Sequence, residues 1–266
     1  MFWHFLKQSS MKKVNNWSDI TISQFIELSQ LPKDSEDLNF QSFGVIYDIG
    51  QDEIDELSYD EFNDLQLKLN FMSRLPTQLV GNIQIKTTQL VLIEDLVKLS
   101  LGEWIDIENL LPDLINNLPV IAAILYRKQI LGDDFNPDVF EPYGQYIHHR
   151  SALFNESSMA DIYGIIPHVL KFRTMIHTNY SGLFNNLEGE ETNEVEDEDE
   201  DFIESSIEKK ERLDEEKTAK YKSKWGWDTV VYSLAKGDIT KFEAIYAMPL
   251  VMVLNFMSMK YELKLE

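Results

Sequence analysis

Between Glu188 and Asp201 ten of the fourteen residues are Asp or Glu, and none is basic. Such a run has no apolar surface to bury, so nothing offsets the entropy of ordering it. It is expected to be a disordered linker that no core can include, and it divides the chain. The division is uneven, with a long first part and a short, strongly apolar tail. The charge is not confined to the run. The 266-residue chain carries −22 in all. With the run set aside, 36 acids still face 24 bases.

This surplus narrows the function classes. A surface so negative repels phosphate backbones and anionic bilayers alike, so neither nucleic acid nor membrane is an expected partner. The longest apolar stretch, Ala244 to Met257, is interrupted by Pro249 and Asn255. It falls short of the roughly 20 residues of a spanning helix. Met1 to Leu6 lacks the basic-then-apolar form of a signal peptide, and Met11-Lys12-Lys13 resembles a second start, so residues 1–13 are expected to be an extension. There are no cysteines, which excludes disulfides, thiolate metal sites and cysteine nucleophiles.

The apolar periodicity predicts a mainly helical α+β fold with a small antiparallel sheet. Residues 14–187 form the main domain, 188–224 an acidic and partly helical linker, and 225–266 a short helical C-terminal unit. Thr21-x-x-Gln24 and Ser58-x-x-Glu61 both have capping-box form ahead of apolar residues at helical spacing. A further helix is expected over Phe40 to Asp48. Val80 to Lys86 alternates as a half-buried strand should. Trp104 to Ile107 reads as a second strand, and Leu90 to Leu99 between them is open to strand or helix, a short helix being the preferred reading. Helices are expected over Leu110–Leu118 and Val120–Leu131, with a loop over Gly132 to Pro137. Another starts at Ser158, with a kink or break near Pro167. In the tail, Gly237 should end one helix and Thr240-x-x-Glu243 should cap the next.

The sequence carries few signatures of chemistry. Phosphate-cradling glycine loops, a nucleophile elbow and the His-Glu-x-x-His zinc motif are all absent. His148 and His149 are neighbours and diverge on a helix. The acids from Asp48 to Glu56 crowd together, but the sixth-position glycine and twelfth-position glutamate of a calcium loop are missing, so they read as a solvated helix end. No catalytic, cofactor-binding or metal residues are expected. The most unusual unit is Trp225-Gly226-Trp227, which could anchor the tail on a core or offer aromatic surface to a partner. The tail's methionines, Met248, Met252, Met257 and Met259, suit a core or an adaptable groove equally.

Several of these pieces together resemble a known group. They are Trp17-Ser-Asp-Ile-Thr-Ile-Ser-Gln-Phe25, then Leu57-Ser-Tyr-Asp-Glu-Phe62, then Gly102-Glu-Trp-Ile-Asp-Ile-Glu-Asn109 with Leu118 to Tyr126, and finally Trp225 to Lys241. In this order they look like the tail assembly chaperones of tailed bacteriophages. The resemblance implies transient binding of the tape measure protein's apolar helices during virion morphogenesis in the host cytoplasm, and recruitment of tube subunits through the C-terminal piece. It implies no catalysis and no cofactor. Trp225, Trp227, Asp238, Thr240 and Lys241 match its terminal motif and are the candidate partner-binding residues. Two other classes compete: a permanent virion component of baseplate, neck or packaged cargo, and an enzyme with an unrecognised carboxylate metal site.

Overall fold

Thr21 starts the first helix as its spacing predicts. Its hydroxyl accepts from the Gln24 amide N–H (3.1 Å), and the Gln24 side chain accepts from the Thr21 N–H (3.1 Å). The computed structural model describes residues 11–34, 37–130, 139–184 and 226–263. The expected N-terminal extension up to residue 10, the Gly132–Pro137 loop, the acidic run, the charged stretch 203–224 and Trp225 lie outside the described residues. The fold is mainly helical with a small antiparallel sheet.

The chain divides into two compact units. One comprises Met1–Glu94 with Ile107–Leu170, and the other Asp95–Asp106 with Lys171–Glu266. These are not the segments 14–187 and 225–266 expected from sequence. Lys171 to Phe184 goes with the C-terminal residues, and so does Asp95 to Asp106.

In the first unit, α1 (Ile22–Gln30) is followed by α2 (Leu38–Tyr47), α3 (Gln51–Asp55) and α4 (Tyr59–Lys68). Gln24 ties α1 to α2 by donating to the Val45 carbonyl at 2.7 Å. Asp48 takes a left-handed φ of 56° to end α2. Glu53, one of the crowded acids, accepts from the Gly50 N–H (3.0 Å) and so caps α3. Ser58 and Glu61 form the expected capping box of α4. Phe43 and Phe62 stack at 4.5 Å to join α2 to α4.

The sheet follows. β1 (Asn82–Ile85) and β2 (Thr88–Leu92) form a hairpin with Ile83 opposite Leu90, and β3 (Tyr126–Arg127) lies antiparallel on the other side of β2. Two expectations fail here. Leu90 to Leu99 is β2 and then a 3-10 turn at Leu96–Lys98, not a short helix, because Leu90 and Leu92 point to the core as alternate residues. Trp104 to Ile107 is not a strand but part of α5 (Leu101–Leu110). Leu101, Trp104, Ile105 and Ile107 are all buried, and a helix apolar on most sides loses its 3.6-residue signature.

α6 (Leu114–Leu125) is one helix where the sequence suggested a break at Pro119. A 3-10 turn at Leu111–Asp113 precedes it instead. Pro119 lacks an N–H, so its turn forgoes a bond to the Ile115 carbonyl, and burial of Leu118 to Leu125 outweighs that loss. α6 packs on α1 and on α7 (Ile147–Phe154). A second two-stranded sheet joins β4 (Gln129–Ile130) to β5 (Val139–Phe140). Ser158 caps α8 (Met159–Ile162), and the chain breaks at Tyr163-Gly164, just before Pro167, then resumes as α9 (Ile165–Asn179). Gly164 is pressed against the Gln78 backbone so closely that a Cβ there would lie 2.1 Å from the carbonyl oxygen.

Arg150 and Arg127 close the C-terminal end of α6. Arg150 is 2% exposed. Its Nε donates to the Ala123 carbonyl (3.0 Å), Nη1 to Glu141 (2.6 Å) and Nη2 to the Tyr143 carbonyl (2.9 Å). Arg127 Nε donates to the Ile124 carbonyl at 2.8 Å. Two cations thus meet the negative end of the helix dipole and satisfy its last carbonyls.

Candidate partner-binding face

The second unit is built around a backbone exchange. The Leu101 N–H donates to the Met248 carbonyl (2.8 Å), and the Leu250 N–H donates to the Leu99 carbonyl (2.9 Å). Ser100 and Glu103 form a capping box at the start of α5, the Ser100 N–H donating to the Glu103 carboxylate at 2.8 Å. Ser100-x-x-Glu103 has the same form as Ser58-x-x-Glu61, so the signal for α5 was in the sequence. Trp104 is fully buried with its ring edge-on to Phe172 at 5.1 Å.

After α10 (Ser181–Phe184), the described chain resumes with α11 (226–235), α12 (Phe242–Tyr246) and α13 (Leu250–Glu262). Gly237, at φ 75°, ends the turn after α11 as predicted, its N–H donating to the Tyr232 carbonyl (3.1 Å). α13 packs on α10, and Tyr180 donates to Asn255 at 2.7 Å.

α13 has two apolar faces. Leu250, Val253 and Leu254 are buried. With Met257, Val253 and Leu254 help to line an apolar groove of about 220 Å³, whose other walls are Leu183, Phe184, Trp227, Thr229, Val230 and Ser233. The opposite face carries Met252, Phe256 and Met259, which are 52%, 48% and 45% exposed, and the C-cap residue Leu263, 62% exposed, follows them. Spaced by four, three and four residues, these four fall within one side of a 3.6-residue helix.

Among the sequence-selected residues, the structure brings some together and separates others. Trp227 is half-buried, lines the groove and meets Phe184 edge-on at 5.8 Å, while Phe184 stacks on His177 at 4.2 Å. It is an anchor between α11 and α10. Asp238, Thr240 and Lys241 form a separate local cluster. Asp238 caps the 3-10 turn Ile239–Lys241, accepting from the Thr240 hydroxyl (2.6 Å) and N–H (3.1 Å) and pairing with Lys241 at 3.2 Å. The Thr240 hydroxyl bond, then Lys241, holds its carboxyl below the usual aspartate range. The expected cap of Thr240 on Glu243 is replaced by this one, and α12 has no side-chain cap.

Met252 and Met259 are among the methionines that stand out in the sequence, whereas Phe256 and Leu263 are not marked there. The four-three-four spacing was legible. Which side of α13 is covered was not, since that depends on α10 and α11.

A second concavity, in the first unit, measures about 320 Å³ and holds Lys12, Lys13, Lys68, Glu61 and Asp64. Among its polar walls Lys12 donates to Gln24 (2.7 Å), Tyr47 donates to the Leu65 carbonyl (3.0 Å) and Glu61 belongs to the capping box of α4. Among the described residues no three His, Cys, Asp or Glu side chains gather in a metal-holding group, and no helix is long and apolar enough to cross a membrane. No protein-family model, curated protein or solved structure matches the chain.

Proposed function

We propose that the chain escorts apolar helices of other proteins and, following its sequence resemblance, that it is a tail assembly chaperone whose client is a phage tape measure protein. The observation that carries this reading is the bare face of α13, where Met252, Phe256, Met259 and Leu263 stand exposed side by side. An amphipathic helix lays its apolar side against such a face, and unbranched Met adapts to varied partners. The heavy negative charge of the chain keeps an escort and its client dispersed. No step of this role needs a cofactor or a reacting group.

Co-expression with the tape measure and tube proteins of the same genome, followed by pull-down, tests the reading. The tape measure should be recovered with the full chain and should be lost from the Phe256→Gln/Met259→Gln variant. Recovery of no tail protein would overturn it. Abundance of the chain in purified particles, read by mass spectrometry, would replace it with a permanent virion role.

A further inference from the structure

The concavity of the first unit lies between two pieces of chain. One is Met11 to Asn15. The other is the side of α4 that carries Glu61, Asp64, Leu65 and Lys68, with Tyr47 and Leu57 completing the wall. These four positions of α4 are three, four and seven residues apart, so they share one helix face. The volume of about 320 Å³ is about twice that of a cavity that holds a benzene ring, which leaves room for an indole.

The walls set the chemistry of an occupant. Met11, Val14, Tyr47, Leu57 and Leu65 make one part of them apolar. Lys12, Lys13 and Lys68 stand with Glu61 and Asp64 in the rest, three cations to two anions. A strongly charged occupant of either sign gains little from so even a set. An aromatic one gains twice, from the apolar wall and from lysine stems and ammonium groups against its ring faces.

The chain supplies such an occupant at this spot. Met11 is itself part of the wall, so the ten residues before it arrive at the concavity. Met1, Phe2, Trp3, Phe5 and Leu6 are large and apolar, and residues 1–10 contain no acid. Lys7-Gln8-Ser9-Ser10 then connect Leu6 to Met11. Four residues are enough for a reverse turn, which would return Phe2 to Leu6 to the wall that Met11 belongs to.

We propose that residues 1–10 fill this concavity in their own chain, with the rings of Phe2, Trp3 and Phe5 against Leu57 and Leu65 and beside the Lys13 and Lys68 ammonium groups. The segment is then a working part of the first unit and not an appendage, whatever client the chain carries.

The test compares the full chain with the full-length variant Phe2→Ser/Trp3→Ser/Phe5→Ser. Lysine acetylation rates are read by mass spectrometry. Lys68 is normalised to Lys86, an exposed lysine of the same unit that pairs with Glu156. Lys68 should react about threefold or more slower in the native chain than in the variant, as docking for two-thirds of the time or longer requires. The variant's unfolding midpoint should fall by about 5 °C or more. Trp3→Phe provides a second measurement. Subtracting its emission from that of the native chain isolates Trp3, which should emit to the blue of a synthetic peptide of residues 1–10. If the triple variant does not fold, this emission decides alone.

Equal Lys68 rates in the two folded proteins would overturn the proposal, as would Trp3 emission that coincides with the peptide's. Lys68 protection that vanishes on dilution would also overturn it, because a second copy would then supply the segment. So would protection of Lys68 by inorganic phosphate to the same degree in native chain and variant, because the concavity would then be open and its lysines an anion site.

Discussion

In the first unit, polar side chains are turned inward and the surplus charge outward. Arg150 reaches three partners while almost wholly buried, Tyr126 donates its hydroxyl to the Val80 carbonyl at 2.6 Å, and the acids of Asp48 to Asp64 face solvent or cap helices. The second unit is the other way round. Among its described residues seven acids meet six bases, close to balance. Its prominent surface feature is a row of apolar side chains on α13. The contrast separates two tasks that conflict when mixed. Charge beside an apolar docking row would be desolvated by a partner, at a cost of several kcal/mol per unpaired ion. Along the row itself, from Met252 to Leu263, the only charged residues are Lys260 and Glu262, so few ions would be desolvated by a partner that covered it.

The largest effect that can test this contrast is in the first unit. Arg150→Ala would leave Glu141 half-buried without its cation and would strip donors from the Ala123 and Tyr143 carbonyls. Breaking one side of a buried pair costs about 3–5 kcal/mol. Urea unfolding should show a loss of this size. A loss under about 1 kcal/mol would mean that the buried cation does not hold α6 in place.

A smaller effect is expected from Tyr126→Phe, which removes the donor from the Val80 carbonyl and should cost about 1–3 kcal/mol at neutral pH. The same side chain gives the fold an alkaline limit. Burial, with Asp161 adding to it, pushes the Tyr126 hydroxyl above the usual tyrosine range. The folded state therefore favours the protonated form. That stabilisation is complete below about pH 10, the ordinary tyrosine value, and is lost as pH rises toward the raised folded value. Unfolding midpoints measured from pH 8 upward should fall more steeply for the native chain than for Tyr126→Phe. Parallel curves would show that another group sets the alkaline limit.

What the sequence made legible follows the range of the interactions concerned. The boxes at Thr21 and Ser58, the strand at Asn82–Ile85 and the stop at Gly237 are settled by residues within a few positions of one another, and each was readable. Trp104 to Ile107 was misread because the helix is covered on most sides, and the cover comes in part from Phe172, far along the chain. β2 was misread for a related reason, since its second neighbour is Tyr126–Arg127. The division into units was hidden for the same cause: the exchange between Leu99–Leu101 and Met248–Leu250 spans nearly 150 residues of sequence. Of the candidate site, the apolar content of the tail was plain. Trp227 proved an anchor, Asp238 a cap, and the open row lay among residues whose two faces look alike in sequence.

That likeness supplies the smallest predicted effect and the sharpest one. Leu254 and Met252 are two positions apart on α13, both apolar, and sequence gives no reason to separate them. Leu254 is 2% exposed and lines the groove, whereas Met252 is 52% exposed. Truncating a buried Leu costs about 2–5 kcal/mol through lost transfer energy and a residual cavity. A surface change away from such packing stays within about 0.5 kcal/mol. Met252→Gln keeps the length and helix preference of the side chain and removes only its apolar end. It should therefore leave the unfolding midpoint unchanged while Leu254→Ala lowers it sharply. If Met252→Gln costs more than about 1 kcal/mol, the row is covered in the isolated chain and cannot be waiting for a partner. If it costs nothing, the apolar end of Met252 contributes nothing to holding this chain together, and its burial must be sought in a complex.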